Sequence, residues 1–387
     1  MELLESLMRR FESLLAHITK ILFPLYDNQF IRRQPDFDPR GSAFLIAMLK
    51  RDADFTRNLR NNVETWYAKV RRFRDDDLRA RLRSDNDRQF EPALYELLVH
   101  ELLHRFVGRA HWKPELPDGR PEFLLRSRGV KAIVEVATLL RTPEQEQAEH
   151  RIQDFRREVD KHNLTYSLGL ELKEHIPLSI NLREVSERLV GIIPPLEDGQ
   201  LEGRKIDLDA VGLKGFAQAQ IRGFESTLPP VERGTEVKRI RRVLVQKARK
   251  YKSVKKQQIP FVVVMCAGQH VHIGLQDMLN ALYGTEQIIV GLGRGGPPLG
   301  SIATARRRDG LVTPPKPTRY TRVSAIIFCA LDVAEDLSCT CYVLHNPWAQ
   351  NRLPASLFTR FPQLLFRDEG SPLSGEWTQT PVQSIPL

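Results

Sequence analysis

The sequence predicts an α/β protein, and two groups of segments support that prediction. Phe90–Phe106 has apolar residues at helical spacing, and short segments rich in Val, Ile and Leu follow it between turn signals. The predicted strands there are His111–Leu116, Glu122–Arg126 and Lys131–Leu139. A second helix is predicted from about Gly234 to Lys252, directly before Ile259–Ala267, the most apolar strand of the chain. The expected order is therefore helix, three strands, helix, strand.

Composition limits the class of protein. The chain has 387 residues, of which 41% are hydrophobic and 27% charged, which is typical of a globular protein. It has no apolar run of about 18 residues, so no membrane partner is predicted. Met1–Leu22 carries acids and no small-residue cleavage site, which favours an amphipathic helix over a signal peptide. Four cysteines do not make a disulfide scaffold, and they suit a reducing cytoplasm.

Changes in composition and in the spacing of apolar residues along the chain predict five regions. A helical N-terminal region covers 1–84, and the first part of an α/β core covers 85–142. An α+β insertion is predicted over 143–233. The second part of the core, 234–290, contains the helix before the apolar strand. The remainder, 291–387, is predicted as a loop rich in Gly and Arg up to Gly310, two strands and a C-terminal tail.

The positive charge is concentrated in one place. Lys238–Lys256 holds ten basic residues and no acid, and this equals the net charge of +10 of the whole chain. Such a segment can neutralise several phosphates, so it predicts a nucleic-acid partner. A solvated helix face is the alternative interpretation. The residues predicted to contact phosphates are Arg241, Arg242, Lys250, Lys252, Lys255 and Lys256.

Two carboxylates stand in otherwise apolar strands. Glu122 follows Pro121 at the start of one strand, and Glu135 lies in the middle of the next. A buried carboxylate needs a partner or a metal, and carboxylates on adjacent strands can share a divalent cation. Bound Mg²⁺ or Mn²⁺ would activate water beside a scissile phosphate.

These elements resemble the PD-(D/E)xK nuclease superfamily, and more narrowly a group of bacterial restriction-endonuclease-like proteins of poorly defined role. The resembling segments are Tyr95-Glu96-Leu97, Pro121-Glu122-Phe123, Val134-Glu135-Val136-Ala137-Thr138, Lys247-Ala248-Arg249-Lys250-Tyr251 and His345-Asn346-Pro347-Trp348-Ala349. The resemblance implies a restriction-endonuclease-like core over about 85–285, less the insertion. It also implies metal binding by Glu122 and Glu135, with help from Glu96.

Two positions depart from the motif of that superfamily. Glu122 stands where the usual residue is Asp, and Ala137 where it is Lys. Positions 135 and 137 point to the same face of a strand, so the usual lysine would lie beside the metal carboxylate. Some members supply this group from the next core helix. We therefore expect Lys247 to replace it, with its neighbour Gln246 as the alternative.

The predicted function is metal-dependent hydrolysis of DNA. RNA is the alternative nucleic-acid partner, and a homodimer would suit the cutting of both strands. The first alternative is a nucleic-acid-binding protein of the same fold that does not cut. The second is a zinc metalloprotease, because His100-Glu101-Leu102-Leu103-His104 matches His-Glu-x-x-His. Its third ligand would come from Glu135, His150 or His162. Cys339-x-Cys341 with His345 offers three further zinc-type ligands, one fewer than a structural site usually has.

Overall fold

The fold was established from a computed structural model. It describes residues 25–26, 54–70, 76–117, 119–162, 167–172, 174, 176–192, 205–220, 226–227, 235–250, 258–268, 271, 273–290, 302–307, 309–312, 320–332, 338–366, 375–379 and 385–386. The segment Met1–Leu22, predicted as an amphipathic helix, lies outside these residues.

The described residues form seven α-helices and fifteen strands. The helices are α1 (Asp54–Val70), α2 (Asp76–Leu82), α3 (Asp87–Phe106), α4 (Pro143–Asp160), α5 (Leu182–Ile192), α6 (Thr235–Ala248) and α7 (Leu275–Tyr283). The strands are β1 (Arg109–Trp112), β2 (Phe123–Ser127), β3 (Val130–Leu139), β4 (Ser167–Leu172), β5 (Lys205–Asp207), β6 (Gly215–Gln220), β7 (Ser226–Thr227), β8 (Phe261–Ala267), β9 (Glu286–Val290), β10 (Ile302–Arg306), β11 (Val323–Asp332), β12 (Ser338–His345), β13 (Gln363–Phe366), β14 (Gly375–Trp377) and β15 (Ile385–Pro386).

A mixed sheet of nine strands is the centre of the larger unit, and the prediction of an α/β protein is confirmed. Its order is β1-β2-β3-β8-β11-β12-β13-β14, and β15 pairs with β12. The first three strands form an antiparallel meander. Next to them, β3, β8 and β11 run parallel, so the connections between these strands must cross over the sheet.

Helices cover the two faces of this sheet. Every residue of β8 is buried, as expected for a parallel central strand with both faces covered. On one face, Leu94 and Leu98 of α3 pack in a cluster with Val134 of β3. On the other face, Leu244 of α6 and Met278 of α7 pack in a cluster with Ile133 of the same strand. Alternate residues of β3 therefore face different helices.

The chain divides into two compact units. Among the described residues, one unit runs up to Leu140 and resumes at Glu236, and the other contains Arg141–Thr235. The second unit has its own core, formed by α4, α5 and the four-stranded sheet β5-β6-β4-β7. It overlaps the predicted insertion 143–233, and it separates β3 from α6 along the chain.

Several predicted boundaries need correction. The first strand is Arg109–Trp112 rather than His111–Leu116, because its ladder of residues paired with β2 runs from Arg109 to Trp112 and only one further backbone hydrogen bond, from Lys113, lies beyond it. Ile302–Arg306, predicted within a loop, is a strand because it pairs with β9. Region 291–387 was expected to hold two strands, but its described residues form six. No helix in the described part of the chain is long and apolar enough to cross a membrane.

Candidate active site

The antiparallel meander brings the two strand carboxylates together. Phe123 pairs with Val134, so continuing that register by one residue places Glu122 opposite Glu135. The Lys113 backbone N–H donates to the Glu122 carbonyl at 2.8 Å, which continues the pairing of β1 with β2. Cβ atoms of directly opposed residues lie about 5 Å apart in such a sheet. Lys113 and Glu122 lie directly beyond the ends of β1 and β2, and together with Glu135 of β3 they form what we call the carboxylate row.

Glu135 is bound by two lysines from α6 and the turn that follows it. Lys247 Nζ lies 2.7 Å from Glu135 Oε2, and Lys250 Nζ lies 3.2 Å from the same oxygen. The Glu135 side chain is 1% exposed, whereas Lys247 is 18% and Lys250 51% exposed. A carboxylate this deeply buried needs such partners, because removing a charge from water without compensation is strongly unfavourable.

The packing of α6 explains why Lys247 reaches this carboxylate. Ile240, Leu244 and Ala248 recur at a spacing of four and are buried in the same cluster as Ile133 and Ala137 of β3. Glu135 lies between those two strand residues in the alternation, so it faces α6. Lys247 borders the buried stripe and extends its ammonium group to the carboxylate. Gln246, the predicted alternative to Lys247, is exposed.

Glu96 of α3 lies in the same region but is tied to an arginine. Arg81 of α2 donates to both carboxylate oxygens of Glu96, at 2.8 and 2.9 Å. Lys113 Nζ lies 3.9 Å from Glu96 Oε2. This two-bond pairing fixes the orientation of the carboxylate. The metal-ligand role predicted for Glu96 stays a prediction, and Arg81 pairs with both of its carboxylate oxygens in this structure.

Glu122 is the carboxyl group whose ionisation the site disfavours most clearly. Burial, followed by the nearby negative charges of Glu96 and Glu135, raises the pKa of Glu122 from 4.5 to about 7, against the lowering effect of Lys247 and Lys113. Within the described part of the chain, its carboxyl group makes no hydrogen bond or ion pair. Glu122 is therefore the carboxylate that a cation would stabilise most.

Glu122→Gln should stabilise the metal-free protein at high pH only. The pKa of Glu122 is higher in the folded than in the unfolded protein, so protonation of Glu122 favours folding. This contribution to the free energy of unfolding is complete below about pH 4.5 and is lost as the pH rises to about 7. The neutral amide has no such loss, so the free energy of unfolding should exceed that of the wild type by about 3 kcal/mol at pH 8 and differ little at pH 4.5.

The measurement is urea unfolding at both pH values in EDTA. Glu115→Gln is the matched control, since Glu115 is exposed on the loop between β1 and β2. An equal difference at the two pH values would show that Glu122 titrates normally.

The donor set suits a hard divalent cation held by few protein ligands. Mg²⁺ usually takes one or two carboxylates and completes its shell with water and phosphate oxygens. Glu122 and Glu135 provide that number. The three predicted carboxylates do not form a closed cage, because within the described residues only Cys329, Cys339 and Cys341 place three ligand atoms within 4.8 Å of one another. Metal binding by the full set Glu96, Glu122 and Glu135 stays a prediction.

The residues predicted to contact phosphates lie in different environments. Arg241 donates to the carbonyls of Asn280 and Ala281 at the end of α7 and lies 3.6 Å from Asp309, so its contact with phosphate stays a prediction. These carbonyls have no partner inside their own helix, which explains the contact. Lys250 lies at Glu135, and Arg242 is exposed. Lys252, Lys255 and Lys256 lie outside the described residues.

The His-Glu-x-x-His sequence does not assemble a zinc site in the described part of the chain. Glu101, the residue that would act as base, accepts from Lys69 Nζ at 2.8 and 2.7 Å. His100 is 5% exposed and packs against the rings of Trp112 and Phe123. No third His, Cys, Asp or Glu of the described residues completes a ligand group with the two histidines. The local packing instead favours a structural role for this sequence.

Sequence reasoning missed Arg81 and Lys113. The position of Lys113 could have been predicted. It precedes the turn at Pro117, so it lies close to the start of the following strand once the two strands pair as a hairpin. Arg81 had none, since its contact with Glu96 depends on how α2 packs against α3.

Comparison with known proteins adds no relative to this picture. No protein-family model, curated protein or solved structure matches the chain.

Proposed function

We propose that this protein hydrolyses DNA phosphodiester bonds with the help of Mg²⁺ or Mn²⁺, on a restriction-endonuclease-like core of the PD-(D/E)xK type. The observation that carries the proposal is the 2.7 Å contact between Lys247 and Glu135, which are 112 residues apart in the chain. It places an ammonium group beside the strand carboxylate, as a lysine at position 137 would have done. The order α3, β1, β2, β3, α6, β8 supports the same core.

The two strand carboxylates would hold the metal. Glu135 contributes a charge whose position is fixed by burial, and Glu122 contributes one that is otherwise unstable near neutral pH. When bound, the cation would activate a water molecule and neutralise charge on the scissile phosphate. Binding would also displace the proton that Glu122 retains below about pH 7.

The chain's own cations would act on the phosphate. Lys247 is held in place by Glu135, so its ammonium group is already oriented towards the carboxylate row before substrate arrives. A preorganised cation stabilises charge that develops in the transition state without the cost of reorganising solvent. Lys250, which is half exposed, lies on the solvent side of the same carboxylate. Glu96, fixed by Arg81, adds negative charge beside Glu122 and favours cation binding there.

The exposed face of α6 provides a surface for the nucleic-acid backbone. Lys238, Arg242 and Arg249 are exposed on α6 or directly after it, close in sequence to Lys247. Three phosphate contacts of this kind would make binding fall by roughly two to three powers of the salt concentration. DNA is the proposed polyanion.

Wild-type protein should cut DNA only when a divalent metal is present. The assay incubates supercoiled plasmid, linear duplex and single-stranded DNA, with an RNA of the same sequence, in Mg²⁺, Mn²⁺ or EDTA. Cleavage in either metal that stops in EDTA is the expected result. Cleavage that continues undiminished in EDTA would contradict the proposal.

A DNA-binding protein that does not cut is the second candidate. Ala137 in place of the usual lysine, and the engagement of Glu135 by two ammonium groups, both favour it. It predicts a salt-sensitive gel shift that is equal with Mg²⁺ and with EDTA, and no cleavage under any condition. The two candidates are separated by cleavage and by metal dependence.

A further inference from the structure

All four cysteines of the chain lie on one face of the nine-stranded sheet. Cys266 of β8 pairs in register with Cys329 of β11, and Cys329 pairs with Cys341 of β12. Cys339 is two residues before Cys341, so both side chains leave the same face of β12. All four belong to the buried cluster that contains Leu94 and Leu98 of α3. Three adjacent strands therefore direct every thiol of the protein to one place.

The thiols are in contact with one another and shielded from solvent. Cys329 Sγ lies 3.0 Å from Cys341 Sγ, and Cys339 Sγ lies 3.4 Å from Cys341 Sγ. The four residues are between 0% and 2% exposed. Cys329, Cys339 and Cys341 are the one group of the described residues whose three ligand atoms all lie within 4.8 Å of one another. In a tetrahedral zinc site, with Zn–S bonds of about 2.3 Å, the sulfurs are about 3.8 Å apart.

We propose that Cys329, Cys339 and Cys341 bind one thiophilic metal ion, Zn²⁺. Cys266 pairs with Cys329 on the same face of the sheet but lies outside this group of sulfurs, so its side chain would have to move towards them to supply the fourth ligand. The two separations from Cys341 Sγ, 3.0 Å to Cys329 and 3.4 Å to Cys339, need to widen by less than about 1 Å to reach a tetrahedral site. A disulfide would use only two of the three converging thiols. A bond between Cys329 and Cys341 would leave the thiol of Cys339 beside it without a role. Soft sulfur ligands select Zn²⁺ over the Mg²⁺ proposed for the carboxylates.

The site would be structural. Four protein ligands leave no open position for water or substrate, and the cluster lies in the core between α3 and the sheet. It is also separate from the carboxylate row, because Glu135 faces α6 on the opposite side of the sheet. The zinc proposal therefore stands or falls independently of the nuclease proposal.

Full-length protein produced with added zinc, and purified without chelators or immobilised metal, should contain about one zinc per chain by elemental analysis. Metal-free protein should also take up Co²⁺ and develop the intense visible absorption of tetrahedral cobalt thiolates. Cys329→Ser and Cys341→Ser should each reduce bound zinc at least tenfold. Met265→Leu is the matched control, since Met265 is a buried neighbour of Cys266 that faces the opposite side of the sheet.

Two results would overturn the proposal. One is wild-type protein that folds cooperatively, gives four free thiols in denaturant and binds neither zinc nor cobalt. The other is a wild-type protein with only two free thiols and no metal, which would identify a disulfide instead. Because both measurements use the wild type, a cysteine variant that fails to fold does not prevent the test.

Discussion

Glu135→Gln is expected to lower the rate of metal-dependent DNA cleavage by roughly a thousandfold while leaving the fold intact. The amide keeps the size of the side chain but removes the charge that would bind the cation and orient Lys247. Glu135 is 1% exposed and opposite Glu122, so no nearby carboxylate on its strand can replace it. The measurement is the single-turnover rate on linear duplex DNA in saturating Mg²⁺, with circular dichroism to establish folding.

Glu101→Gln is the matched control for this variant. Glu101 forms an ion pair with Lys69 at 2.7 Å, the same length as the contact between Glu135 and Lys247, and it is 13% exposed. Loss of activity caused merely by breaking an ion pair in the larger unit would affect both variants. We expect wild-type cleavage from Glu101→Gln. Cleavage by Glu135→Gln at the wild-type rate would remove Glu135 from the mechanism.

Lys247→Met should lower the single-turnover cleavage rate at least a hundredfold, and Lys250→Met less than about tenfold. Both lysines contact the same oxygen of Glu135, but Lys247 is closer and only 18% exposed. The field of a shielded, fixed cation acts more strongly on a developing charge than that of a solvated one. Lys250 is half exposed, so its loss should mainly weaken DNA binding and reduce its dependence on salt.

The stability of these variants gives an independent readout. Lys247→Met removes the closer and better shielded of the two lysines from the buried Glu135, which should reduce the free energy of unfolding by about 2 kcal/mol. Gln246→Ala is the control, because Gln246 is exposed, precedes Lys247 in the sequence and was the predicted alternative to it. Equal loss of cleavage in Lys247→Met and Lys250→Met would show that the site uses total positive charge rather than the orientation of one ammonium group.

The fold was most predictable where local signals agree with tertiary burial. The predicted strands Glu122–Arg126 and Lys131–Leu139 match β2 and β3 to within one residue at each end, since turn signals flank both strands and their central residues are apolar. The strand Ile302–Arg306 was not predictable in this way. Its residues follow a Gly- and Pro-rich segment, and its extended form depends on hydrogen bonds to β9 that no local pattern reveals.

The candidate site was predictable to the extent that its residues conflict with their surroundings. A lone acid between Val134 and Val136 is unfavourable in a covered strand, and this conflict distinguishes Glu135 in the sequence itself. Lys247 could be selected because it borders the apolar stripe of its helix. The roles of Arg81 and Arg241 depend on which helix ends and side chains come close in three dimensions. Sequence spacing contains no information about such contacts.

The position of the second unit within the chain affects when the site can exist during synthesis. The three carboxylates precede Leu140, whereas Lys247 follows Glu135 by 112 residues. A ribosome adds about 5 to 20 residues per second, so Lys247 is made roughly ten seconds after Glu135. During that interval the nascent chain has the acids but no ammonium group from α6 to pair with Glu135, and β3 has no β8 beside it. Under the proposed function, the chain would be inactive on the ribosome, and its site would be completed only after α6 and β8 are added.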